Sequence, residues 1–279
     1  MIDYLYGRCD SDEERVDLLA TPILLVNGGA TLDESGNVAL PAICPTVPFW
    51  DEETDDACGR RKIPPVYPCP DEDDPEGSVA LSWGARYYCE GMEYSDPADH
   101  GKRIDCFRAA EIFYLYAALQ GNPVAFANLG YVYSYDRCEG RYWGSDIRPV
   151  DVDARAFECY EFAAEAGDPE ACYKLGDLLS WGRGCEPDAA RAFEMYRRAL
   201  DASHEECAAV RGSAALRMAQ CLEEGLGCDV DYGQSRDWYA VAARLLGQAV
   251  DEGDWFYEKP LVRAREGERR TMQEVEGGY

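Results

Sequence analysis

Four tyrosines, Tyr114, Tyr160, Tyr196 and Tyr239, recur in one setting, and that recurrence limits the folds open to this chain more than any other feature. Each has a small residue four positions earlier (Ala110, Ala156, Ala192, Ser235) and an alanine three positions later (Ala117, Ala163, Ala199, Ala242). Ala156, Tyr160, Ala163 and Ala164 fall at i, i+4, i+7 and i+8, which is one stripe of a helix. A second run precedes each stripe and aligns through Trp83-Gly84, Leu129-Gly130, Leu175-Gly176 and Met218-Ala219. Small residues at a helix crossing let two backbones approach, and a tyrosine then fills the groove beside them. A helical pair of this kind exposes an apolar face on its own, so it must stack on its neighbours. The implied fold class is all-α: an α-solenoid of about four helical hairpins.

The spacing between the two runs carries its own punctuation. Gly182 and Gly184 supply the positive φ needed to leave a first helix. Asp188 and Asp231 stand where N-caps of the second helices belong, with Asp151 or Asp153 serving the earlier unit. Loops absorb the unequal intervals, one between Tyr135 and Val150 and another over Ala202 to Arg211.

These runs resemble the Sel-one-like repeats, a branch of the tetratricopeptide superfamily. The resemblance rests on Leu175-Gly176, Gly182-Arg183-Gly184, Asp188, Ala192, Tyr196 and Ala199, and on Gly225-Leu226-Gly227, Asp231, Trp238-Tyr239 and Ala242-Ala243. Ala163-Ala164-Glu165-Ala166-Gly167-Asp168-Pro169 matches the family's helix end and restart. The resemblance implies units over 78–122, 123–168, 169–203 and 211–247, and a scaffold for protein contacts. It also implies an alternative: some secreted, cysteine-rich relatives have been proposed to act on penicillin-related substrates as hydrolases.

Residues 1–77 do not fit the repeat. They hold nine of the 15 prolines and carry 18 acidic against five basic side chains. Helix is therefore disfavoured there, and turns at 26–30 and Glu34-Ser35-Gly36-Asn37 separate short extended pieces. This segment reads as a Pro-rich acidic extension. Residues 248–279 read as a C-terminal capping segment with a helix after Pro260 and a basic group of Arg265, Arg269 and Arg270.

Charge bounds the partners. The formal net charge is −27 over 279 residues, which argues against nucleic acid or an anionic membrane and favours a basic protein or peptide. The acidic first fifteen residues do not suit a signal peptide, and no apolar run is long enough to span a bilayer. Thirteen cysteines without a C-x-x-C pair read as reduced thiols in a cytoplasmic protein. Cys44, Cys58 and Cys69, with Cys9 or Cys89, match no zinc spacing, and Cys185 and Cys228 read as packing groups. His100 and His204 fall in loops, Gly28-Gly29 lacks the rest of a phosphate loop, and Asp73-Asp74 or Glu223-Glu224 is uninformative in so acidic a chain.

The resulting expectation is a non-enzymatic adaptor, or an inhibitor or immunity-type factor, with no cofactor and no metal. First helices line the concave side of such a solenoid. The candidate partner-binding residues are therefore Ala127, Tyr131 and Ser134, then Tyr173, Asp177 and Ser180, then Gln220 and Glu223. Tyrosine gives rigid contact area, and the carboxylates would select basic side chains.

Overall fold

The computed structural model describes residues 76–119, 122–142, 151–202 and 208–277, together with four paired dipeptides near the N-terminus. Those dipeptides form two short antiparallel pairs. In one, β1 (Thr31–Leu32) pairs with β2 (Val38–Ala39); in the other, β3 (Pro48–Phe49) pairs with β4 (Arg61–Lys62). The expectations placed on Gly28-Gly29, Asp73-Asp74, Cys9, Cys44, Cys58, Cys69 and His204 lie outside the described residues.

Everything else described is helical or connects helices. The helices are α1 (Ser78–Glu93), α2 (His100–Leu119), α3 (Pro123–Ser134), α4 (Val152–Glu165), α5 (Pro169–Trp181), α6 (Ala189–Ala202), α7 (Ala208–Glu224), α8 (Tyr232–Asp251) and α9 (Glu258–Gly277). Two compact units divide the chain, residues 1–156 and 157–279, with the boundary inside α4. In the first unit α1 pairs with α2, which also packs on α3 and lies beside β3. In the second, α5 pairs with α6, α6 packs on α7, α7 pairs with α8, and α9 closes on α8. This is the all-α stacking of a helical solenoid, with α9 covering the last hairpin.

The four tyrosines explain the pairing. Tyr114, Tyr160, Tyr196 and Tyr239 are all buried, and the alanines three positions after each are fully buried. Gly84 lies against the ring of Tyr114, and Gly176 against that of Tyr196: a β-carbon on either glycine would stand 2.5 Å from the nearest ring atom. The last hairpin departs from this. Its first helix carries Ala219, whose carbonyl accepts the Ser235 hydroxyl at 2.8 Å, and the ring of Tyr239 instead covers Gly267 of α9. The serine hydroxyl ties the two helices at the crossing, and the tyrosine finds its glycine on the following helix.

Helix ends follow from local chemistry. Asp188, Asp231 and Asp151 each accept a backbone N–H three residues on, at 2.9, 2.8 and 3.1 Å. Asp168 does the same for Ala171 at 2.7 Å, with Pro169 as the first residue of α5. Replacing Asp168 with Ala leaves that donor without its cap, so we expect a loss of about 1 kcal/mol in urea denaturation. Helix α7 begins at Ala208, earlier than the 211 start read from the repeat. His100 is the first residue of α2, not a loop residue, and its Nε2 lies 3.1 Å from the Glu139 carboxylate.

Candidate functional site

First helices carry the expected binding residues, and the two units show what each does. In the first unit, Ala127 is buried in the core and Tyr131 and Ser134 are half-buried on α3. Tyr131 stacks on Tyr135, ring centres 5.7 Å apart. Arg137 then donates through Nε to the Tyr88 hydroxyl at 3.1 Å and lies over the rings of Tyr135, Phe107 and Tyr88. Tyr88 stands four residues after Gly84, the register of Ser134 and Ser180, and was not among the residues read from sequence. Below this face, fully buried Glu111 accepts the Tyr133 hydroxyl at 3.0 Å.

In the second unit the carboxylates are not presented to solvent. Asp177 is held by Arg217 of α7 through both oxygens, Nε to Oδ1 at 2.7 Å and Nη2 to Oδ2 at 3.2 Å. Tyr196 of α6 adds its hydroxyl to Oδ1 at 2.9 Å and lies 3.1 Å from Ser180 Oγ. Only 8% of the Asp177 side chain is exposed, against 21% for Arg217. Burial disfavours the Arg217 charge, but Asp177 more than offsets it and raises the pKa. Burial likewise raises the Tyr196 hydroxyl, with Asp177 adding to it.

Glu223 repeats the arrangement one hairpin on. Tyr239 of α8 donates to Oε2 at 2.7 Å, and Arg270 of α9 grips both oxygens at 2.5 and 2.8 Å. Each clamp thus joins three helices: an acid on a first helix, the tyrosine of its own second helix, and an arginine from the helix that follows. Arg217 stands two residues before Ala219, as Lys174 stands two before Gly176. Arg270 supplies the arginine of the second clamp from α9. Arg270 is therefore committed to Glu223 instead of joining Arg265 and Arg269 as part of a basic group.

The expectation that Asp177 and Glu223 select basic side chains is corrected by this geometry, since both are satisfied by arginines of the chain. Next to the Asp177 clamp stand aromatic and neutral side chains. Trp181 is 56% exposed, with the Arg217 guanidinium 5.3 Å from its ring centre. Tyr173 is half-buried, Ser180 is exposed, and Gln220 accepts Arg217 Nη1 at 3.0 Å.

Hydrogen bonds from Arg270 hold the Glu223 carboxyl below the usual carboxylate range. Because the folded value is lowered, the stabilisation is complete above the unfolded pKa and disappears as pH falls through the folded one. We therefore expect the stability difference between wild type and Glu223→Gln to be constant from pH 6 to 8 and to shrink below about pH 4. Urea midpoints across that range measure it.

Five of the described cysteines, Cys106, Cys138, Cys159, Cys172 and Cys221, are buried. Cys185 and Cys228 donate to the carbonyls of Leu178 and Cys221, each seven residues back, so they pack in one register. Burial pushes the Cys221 thiol up to about 12. Among the described residues no group of three or more His, Cys, Asp or Glu is placed to hold a metal ion, and no helix is long and apolar enough to cross a membrane.

A model of the Sel1 repeat matches residues 125–168, 169–204 and 212–245. An uncharacterized Sel1-like repeat-containing protein of Schizosaccharomyces pombe is 30% identical over 148 residues, which is 51% of this chain and 20% of the relative. The chain thus spans about a fifth of that relative's length. Among solved structures, a Sel1 repeat protein from Oxalobacter formigenes aligns with a TM-score of 0.45 at 20% identity, over 72% of this chain and 74% of that one. A protective antigen of uropathogenic Escherichia coli displaying an SLR fold aligns with a TM-score of 0.30, also at 20% identity, over 72% and 54%.

Proposed function

We propose that this chain, which carries Sel1 repeats over residues 125–168, 169–204 and 212–245, is a protein-interaction scaffold that holds a basic protein partner against its first-helix faces. The observation that carries the reading is Trp181, a large aromatic left over half exposed while Arg217, braced by Asp177, fixes one side of it. A ring held in place loses little freedom when a partner stacks on it, which favours binding. Gln220, bonded to Arg217, and Ser180, next to Trp181 in the chain, add polar groups, and Tyr131 stacked on Tyr135 gives an aromatic pair at the end of α3.

The basic character of the partner rests on the net charge of −27 and not on Asp177 or Glu223. Such a charge speeds encounter with a cationic protein and makes the rate fall with salt. An adaptor, an inhibitor and an immunity-type factor are all forms of this activity, and none calls for catalysis or a cofactor. Affinity purification from the native host tests it, comparing the wild-type chain with a Tyr173→Ala/Trp181→Ala variant. A cationic protein retained by the first, lost from the second and released by rising salt would support the reading. Equal recovery on both would sink it.

A further inference from the structure

A second contact surface lies away from the first-helix faces, where α8 turns into α9. Glu252, Gly253 and Asp254 reverse the chain, with Gly253 at φ +103, and Trp255–Tyr257 form one 3-10 turn. Backbone bonds pin this turn: Glu252 N–H donates to Gln248, Asp254 N–H to Ala249 and Tyr257 N–H to Asp254. From it Trp255 and Phe256 project with 65% and 60% of their surface exposed, their rings stacked at 3.9 Å. Trp255 is more exposed than any other large apolar residue described, and the two stand side by side. Asp251, Glu252, Asp254 and Glu258 surround the pair in sequence, all exposed.

Large aromatics dominate the energetics of protein interfaces, and a rim of one charge sets which surfaces are admitted. These four carboxylates outnumber the one cation close by in sequence, exposed Lys259, and so disfavour phosphate and lipid headgroups alike. They also repel a second copy of this chain, which brings a charge of −27 with it. We propose that the Trp255–Phe256 turn is a preformed anchor for a protein surface that offers an apolar cleft flanked by lysine or arginine. This surface is independent of the Trp181 face, so a partner that uses both is gripped at two points of the second unit.

The test follows the Trp255 indole N–H resonance in the full chain, assigned by its loss in Trp255→Phe. Two acetylated ten-residue peptides serve as probes, one alternating Lys with Leu and the other Glu with Leu. The Lys/Leu peptide should shift that resonance saturably. Trp255→Ala/Phe256→Ala should weaken its binding about tenfold, and Asp251→Asn/Glu252→Gln/Asp254→Asn/Glu258→Gln should reduce its salt dependence. Met272→Ala, a change at an exposed apolar residue elsewhere on α9, should leave it unchanged. An unmoved Trp255 resonance, an equal response to the Glu/Leu peptide, or full affinity in the aromatic double variant would overturn the proposal. Movement of the Trp181 resonance alone would overturn it while leaving the first-helix reading standing.

Discussion

Replacing Gly227 with Ala should destabilise the second unit by about 3 kcal/mol, far more than the same change at Gly253. Both glycines have positive φ, +76 and +103, so both substitutions carry the left-handed strain of about 1 kcal/mol. They differ in what a methyl group would meet. At Gly253 nothing lies within 4 Å. At Gly227 the new β-carbon collides with the carbonyl group of Ala189 and the nitrogen of Ala190, the first turn of α6. Backbone atoms cannot swing aside as a side chain can, so the turn between α7 and α8 must lift off the preceding hairpin. Thermal unfolding of the two variants side by side isolates this term: a drop of roughly 10 °C at Gly227 and only a few degrees at Gly253.

Asp177→Ala should cost about 3 kcal/mol, because it leaves the largely buried Arg217 guanidinium without its counter-charge and removes the acceptor of the Tyr196 hydroxyl. The loss belongs to the orphaned charge more than to the ion pair. Adding Arg217→Met to Asp177→Ala should therefore restore more than half of it, an apolar chain of similar length filling the same space. Asp177→Asn should fall between, since the amide oxygen can still accept from Tyr196. Urea denaturation at pH 7 reads all three. A double variant no more stable than Asp177→Ala would show that the pair contributes through packing alone.

The fold was legible because its determinants are periodic. Tyr114, Tyr160, Tyr196 and Tyr239 with their flanking alanines mark the second helices, and Asp151, Asp168, Asp188 and Asp231 mark helix starts through a local bond that needs no tertiary knowledge. The clamps were not legible in the same way. The acid stands one residue after the glycine in Asp177 but four after the alanine in Glu223, so the two share a site in space without sharing a sequence register. Their arginines come from the next helix along, which no pattern within one repeat reveals. Helix α9 itself was legible from Pro260, but nothing in its sequence marks Arg270 as the partner of Glu223. Nor does composition show that Asp177 and Glu223 are satisfied internally, because charge counts do not distinguish a buried pair from a solvated carboxylate. The exposure of Trp181, Trp255 and Phe256 is equally silent in sequence.

If these clamps couple neighbouring hairpins, damage to one partner must be felt on the other side of the stack. Native-state hydrogen exchange on Asp177→Ala measures this residue by residue. Coupling predicts that amides of α5 and α7 lose protection together and by the same free energy, while α1 to α3 in the other unit keep theirs. A loss confined to α5, with α7 as slow as in the wild type, would contradict it.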